Sequence, residues 1–133
     1  MDKMIRFKQR FKNLENAFGF LSESMKISNY SPLEEAGVIQ SFEFTFELSW
    51  KTLKDFLEAN GTLAPFPRDV IKESFASGLI KDGHLWIDML DRRNLLSHTY
   101  DRKHAENAVK MIKEKYFPCL MQVFMELKSK CTD

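Results

Sequence analysis

Glycine is scarce in this chain, with five among 133 residues, and so are proline, with four, and cysteine, with two. No glycine-rich phosphate loop and no Walker sequence is present, which removes the commonest nucleotide-hydrolysing scaffolds. Cys119 and Cys131 sit near the C-terminal end without a partner pattern. They read as reduced thiols of a cytoplasmic protein and not as a disulfide framework. The three histidines, His84, His98 and His104, lie apart, and neither His-x-x-x-His nor Cys-x-x-Cys spacing occurs, so no metal and no cofactor is expected. An excess of one charge is missing as well. Lys and Arg number 20 against 19 Asp and Glu, so no global field recruits nucleic acid and any basic site must be local. No apolar run approaches the roughly 18 residues of a membrane span. The chain begins Met-Asp-Lys and turns amphipathic at once, with no signal-peptide core. Alternating runs that would support a sheet are absent, as are internal repeats, low-complexity segments and linkers. What is left is the soluble globular class, organised as one domain over residues 1–133.

What the chain does have is phenylalanine, twelve of them, within a hydrophobic content of 44%. A Phe-rich, Gly-poor chain of this size suits a helical bundle with bulky interdigitating layers. The spacing predicts a first helix over residues 2–28, where Ile5, Phe7, Phe11, Leu14, Phe18 and Leu21 recur at steps of three and four. Ser31, Pro32, Glu34 and Glu35 then form a helix start, with a capping hydroxyl, a first-turn proline and acids at the positive end of the dipole. The second helix runs to about Asn60. Ile39, Phe42, Phe46, Trp50, Leu53 and Leu57 make its seam, with Phe44, Leu48 and Phe56 off it. So wide an apolar surface suits the central helix of a bundle, part of which meets a second subunit. Glu43, Glu47, Lys51 and Asp55 follow at four-residue steps and read as a solvated face of i,i+4 ion pairs. A short helix over 68–77 stops at Gly78, a fourth runs over 84–98, and a last one over 104–130 should kink or split at Pro118. The fold class is all-α: a four-helix up-and-down bundle with one extra short helix.

Chemistry concentrates between Asp91 and Asp101. On a helix Asp91, Asn94 and His98 share one track, Arg93, Ser97 and Tyr100 another, and Leu85, Met89 and Leu96 an apolar third. Arg93 and His98 lie about 140° apart on an ideal helix, so they meet at one ligand only if the helix ends near His98, Arg93 bends round, or a second subunit closes the gap. A histidine with an ordinary pKa of about 6.5 suits proton transfer near neutrality, and an arginine offers a fixed fork of donors to a phosphate. Metal-free RNA cleavage needs little more. The same residues also suit a purely structural cluster in which Arg93, Asp91, Asn94 and Asp101 cap the helix, and spacing alone leaves both open. His84 and His104 read as water-facing.

The run from Arg93 to Tyr100 resembles the Arg-x4-His-x-Tyr motif of the HEPN superfamily of small all-helical proteins. The stretches Ser31–Gln40, Phe42–Lys54 and Pro67–Lys72 are similar to one branch of it, the nucleotidyltransferase substrate-binding protein family, over most of the chain from about Phe7 to Tyr116. The resemblance implies a bundle like the substrate-binding domain of kanamycin nucleotidyltransferase. It implies a homodimer with the motif helices near a shared cleft. It also implies a partner encoded nearby, a small nucleotidyltransferase that supplies the Gly-Ser and aspartate residues absent here, in a heterotetramer. Many such pairs are toxin–antitoxin modules, in which the HEPN member is a metal-independent RNase and the partner silences it by transferring AMP to the motif tyrosine. Carried over, Arg93 would hold phosphate, His98 would move a proton and Tyr100 would accept the nucleotide. Asp91, Arg92, Asn94 and Ser97 would line the binding site, and Arg92, Arg93, Arg102 and Lys103 would form a local basic patch for RNA. Two functions follow as expectations: a nucleotide- or substrate-binding subunit of a two-component nucleotidyltransferase, or an RNase toxin gated at Tyr100.

Overall fold

The computed structural model of the protein describes residues 2–93 and 101–131. Helix α1 spans Lys3–Ser24, capped by the Asp2 carboxylate, which accepts from Met4 N at 2.9 Å. Its five buried residues, Phe7, Phe11, Leu14, Phe18 and Leu21, lie on the expected stripe. The helix ends earlier than the spacing predicts. Ser24 Oγ donates to Leu21 O at 2.6 Å and Tyr30 Oη donates to Ser24 O at 2.7 Å, so side chains satisfy last-turn carbonyls that another turn would have used.

Helix α2, Pro32–Ala59, starts with the expected cap in full reciprocal form. Glu34 N donates to Ser31 Oγ at 3.1 Å, and Ser31 N donates to Glu34 Oε1 at 2.9 Å. It stops in a Schellman motif around Gly61, whose φ of 89° a side chain would strain; Thr62 N donates to Leu57 O and Gly61 N to Glu58 O. Helix α3, Pro67–Ala76, ends the same way at Gly78, and α4 spans Gly83–Arg92 from an Asp82 cap. Helix α5, Arg102–Met111, starts on Asp101, whose carboxylate accepts from His104 N at 3.2 Å.

The interruption expected near Pro118 takes the form of a π turn, Ile112–Tyr116, followed by α6, Phe117–Cys131. Phe117 N reaches back to Ile112 O in the wider π pattern. Proline has no N–H to give and its ring crowds the carbonyl four residues back, so the backbone widens just before Pro118 instead of breaking.

The directions follow from the pairings. Phe7 meets Phe56 at 5.2 Å and Arg10 meets Asp55 at 2.6 Å, while Thr45 reaches Ala17 O at the other end, so α1 and α2 are antiparallel. Phe11 stacks on Phe124 and Phe18 on Phe117 and Phe124, which runs α6 antiparallel to α1. Lys81 N bonds to Gln122 at one end of α4, and Asp88 accepts from Tyr116 further along, so α4 opposes the last helix. The result is the expected up-down-up-down bundle, with α3 as the extra short helix and no strand among the described residues.

Several side chains depart from the sequence-based expectation. Asp55 does not face water; it is buried and held by Arg10. Nor does the acidic row form i,i+4 pairs along α2, because Glu47 and Asp55 are claimed by cations from α4 and α1. Glu35 sits in the first turn as expected, and it is also buried there. Phe44 projects outward at 64% exposure, Trp50 is half-buried, and His104 is half-buried while His84 faces solvent. On α4 the core residues are Trp86 and Met89, with Leu85 half-buried; Leu96 lies outside the described residues.

Candidate functional site

Three consecutive residues at the end of α4 reach three different neighbours. Asp91 Oδ1 takes Arg68 Nη2 from α3 at 2.8 Å, a pair open to solvent on both sides. Arg92 Nε lies 3.3 Å from Asp88 Oδ1, one turn back, and the other oxygen of Asp88 accepts from the buried Tyr116 hydroxyl. Burial pushes the Tyr116 phenol well above the usual tyrosine value. The hydrogen bond to Asp88 and the Asp88 charge push in the same direction, and Arg92 opposes them.

Arg93 points the other way, to α2. Its Nη1 donates to Glu47 Oε1 at 3.1 Å, and Glu47 Oε2 accepts from Trp50 Nε1 at 3.0 Å. The Arg93 side chain keeps 30% exposure. Beside Glu47 opens a groove of about 500 Å³ lined by Arg10, Gln40, Glu43, Phe44, Leu48 and Lys51. Gln40, Phe44 and Leu48 also line a larger, mainly apolar groove of about 670 Å³ between α1 and α2, with the exposed Phe20 on its wall.

Of the residues singled out in the sequence, Asp91, Arg92 and Arg93 are therefore neighbours at one helix end but do not converge on one point. Asn94, Ser97, His98 and Tyr100 lie outside the described residues. Asp101 caps α5. Arg102 bonds to the buried Glu35 and lies 3.5 Å from Glu106. The expected basic patch is thus largely matched by carboxylates: Arg92 by Asp88, Arg93 by Glu47 and Arg102 by Glu35. Sequence reasoning passed over Glu47 as part of a solvated face. The available signal was its i,i+3 spacing to Trp50, a donor-only indole that takes an acceptor when partly buried. Among the described residues no group of three or more His, Cys, Asp or Glu could hold a metal ion, and no helix is long and apolar enough to cross a membrane.

Residues 9–129 match the family described as nucleotidyltransferase substrate binding protein like. The chain belongs to this family. Membership bears out the resemblance drawn from the second helix and the Arg93–Tyr100 run. A curated relative, "Probable ribonuclease HepT" of Haemophilus influenzae, is 40% identical over 75 residues, which is 53% of this chain and 51% of that one. The chain thus spans about half the length of the curated relative it matches. Two solved structures share the family fold. A protein of Thermus thermophilus superimposes with a TM-score of 0.74 at 29% identity, covering 90% of this chain and 99% of that one. HI0074 of Haemophilus influenzae, described as revealing the fold of a substrate binding domain of a nucleotidyltransferase, does so with a TM-score of 0.68 at 28% identity, covering 94% and 98%.

Proposed function

We propose that this family member is the substrate-binding subunit of a two-component nucleotidyltransferase and takes a phosphate-bearing ligand, a nucleotide or an RNA, at the end of α4. The observation that carries this reading is Arg93: an arginine anchored to Glu47 through Nη1 among the described residues, with 30% of its side chain still exposed to a ligand. The description of HI0074 as a substrate binding domain of a nucleotidyltransferase supports the same assignment. The catalytic aspartates come from a separate small nucleotidyltransferase. His98 and Tyr100 complete the site as proton carrier and nucleotide acceptor, and Asp91, Arg92, Asn94 and Ser97 line it. The chain works as a homodimer through the α1–α2 face, where Phe20 and Phe44 stand exposed and the neighbouring groove is lined by Glu47, the partner of Arg93. Co-purification tests this: the nucleotidyltransferase encoded nearby should form a stable complex with the wild-type dimer, and a light-scattering mass of one chain in both preparations refutes it.

A second reading is favoured by the HepT likeness: a metal-independent RNase, Arg93 steadying phosphorane charge and His98 moving the proton, silenced by adenylylation of Tyr100. Expression of the chain alone should arrest growth, and Arg93→Ala or His98→Ala should relieve the arrest. Coexpression with the nucleotidyltransferase should add one or more AMP masses at Tyr100. Harmless expression together with intact RNA removes this reading and leaves the first.

A further inference from the structure

We infer that Glu47 is the positioning residue of Arg93, held in its own place by Trp50. The inference deepens the proposal above, because it rests on Arg93 as the phosphate-binding cation. The geometry divides the labour of one carboxylate between two donors. Oε2 receives the Trp50 indole N–H at 3.0 Å from one turn along the same helix, which fixes the carboxylate plane. Oε1 receives Arg93 Nη1 at 3.1 Å from the end of α4, which fixes the guanidinium. Among the described residues the contact is made at Nη1 alone, so the Nε–Nη2 edge of the fork can present two parallel N–H groups to a phosphate. A long, rotamer-rich arginine at a helix end would otherwise spread over many conformers, and each ligand would have to order it. Arg93 also opens the motif run, so the Glu47 contact ties the entry of that run to α2.

The alternative role for an acid on an arginine is to compete with the ligand as an internal anion. That predicts the opposite outcome: removing Glu47 would strengthen binding and raise turnover. Positioning predicts that the Glu47→Ala chain still attracts phosphate through an uncompensated Arg93 but holds it badly, so the loss falls on turnover and not on affinity.

Two measurements on the full chain test this. In protein labelled with 15N-arginine, the Arg93 Nε–H signal is assigned as the one missing from Arg93→Ala. It should be ordered in the wild type, take on the mobility of an exposed arginine in Glu47→Ala, and recover most of its order in Glu47→Gln, which keeps an oxygen for Nη1. An Arg93 signal unchanged in Glu47→Ala overturns the inference. With a fluorescein-labelled single-stranded RNA, Glu47→Ala should lower kcat roughly ten- to a hundredfold with little change in KM, and the loss should vanish in an Arg93→Ala background. A loss that adds fully to that of Arg93→Ala, or a rise in kcat, also overturns it. If the wild-type chain leaves RNA intact, the RNase reading fails by itself, and the Arg93 signal still decides the role of Glu47.

Discussion

Removing Arg10 should destabilise the bundle more than removing Asp55, although the two share one contact. The Asp55 carboxylate is only 5% exposed and sits 2.6 Å from Arg10 Nε, whereas the Arg10 side chain keeps 35% exposure. In Arg10→Ala the carboxylate stays in the protein with no cation and almost no water. An uncompensated buried charge of this kind costs about 2–3 kcal/mol. In Asp55→Ala the guanidinium swings into solvent along a stem that is already partly wet, at a cost of about 1 kcal/mol. The double variant Arg10→Ala/Asp55→Ala removes both charges and should be more stable than Arg10→Ala alone, even though it carries one more substitution. Urea unfolding followed by circular dichroism at fixed protein concentration gives the three values, and thermal melts check them. At about 3–4 °C per kcal/mol for a chain this long, Arg10→Ala should melt roughly 6–12 °C lower and Asp55→Ala roughly 3–4 °C lower. Equal losses for the two single variants, or a double variant at or below the sum of both, would refute the asymmetry.

Phe18→Ala should cost about 3–5 kcal/mol, because Phe18 stacks on Phe124 at 4.3 Å and Phe117 at 5.3 Å and no other side chain fills its place; a urea midpoint matching wild type rules this out. Gly78→Ala should destabilise by about 1 kcal/mol because φ is 84° there. Gly19→Ala, with nothing within 4 Å of an added methyl on the exposed side of α1, should stabilise by up to about 1 kcal/mol. Burial, aided by Asp82, pushes the Cys119 thiol up to about 11, so at pH 8 it should react slowly with iodoacetamide, and mass spectrometry after a timed quench locates the label. The folded-state values of Cys119 and Tyr116 both lie above the unfolded ones. The stability they carry is therefore complete below the unfolded values, near pH 9 for Cys119 and pH 10 for Tyr116, and is lost as pH rises through and beyond them. Replacing Tyr116 by Phe should flatten the alkaline fall in melting temperature above pH 10.

Helix existence and order were legible because Phe7 to Leu21 and Ile39 to Leu57 repeat at the helical period, and because Ser31, Gly61 and Gly78 carry unambiguous capping chemistry. The same periodicity misjudged Asp55 and Glu47. It sorts residues by type, and it cannot see that Arg10, Arg102 and Arg93 arrive from other helices to meet carboxylates on α2. Trp86 was missed for a related reason: it lies one residue along from Leu85 on the expected apolar track, and only the partner that covers it, Phe46 at 5.6 Å, decides that Trp86 is the one fully buried. At the site, Arg93 was readable from its motif, but its anchor was not, since that contact joins residues 46 positions apart in sequence.

The wide turn at 112–116 lets one rod carry two apolar stripes of different phase, Ala105, Ala108 and Val109 before it and Phe117 and Phe124, which meet α1, after it. Forcing unbroken α geometry there without removing a residue would rotate every later side chain by about 100°. Phe124 and Leu127 would turn away from their present seats, whatever their own identity. Natural variation in this stretch should therefore touch the letters at the exposed Glu114 and Lys115 freely, and the one change of length it should accept is loss of a single residue together with the wide turn.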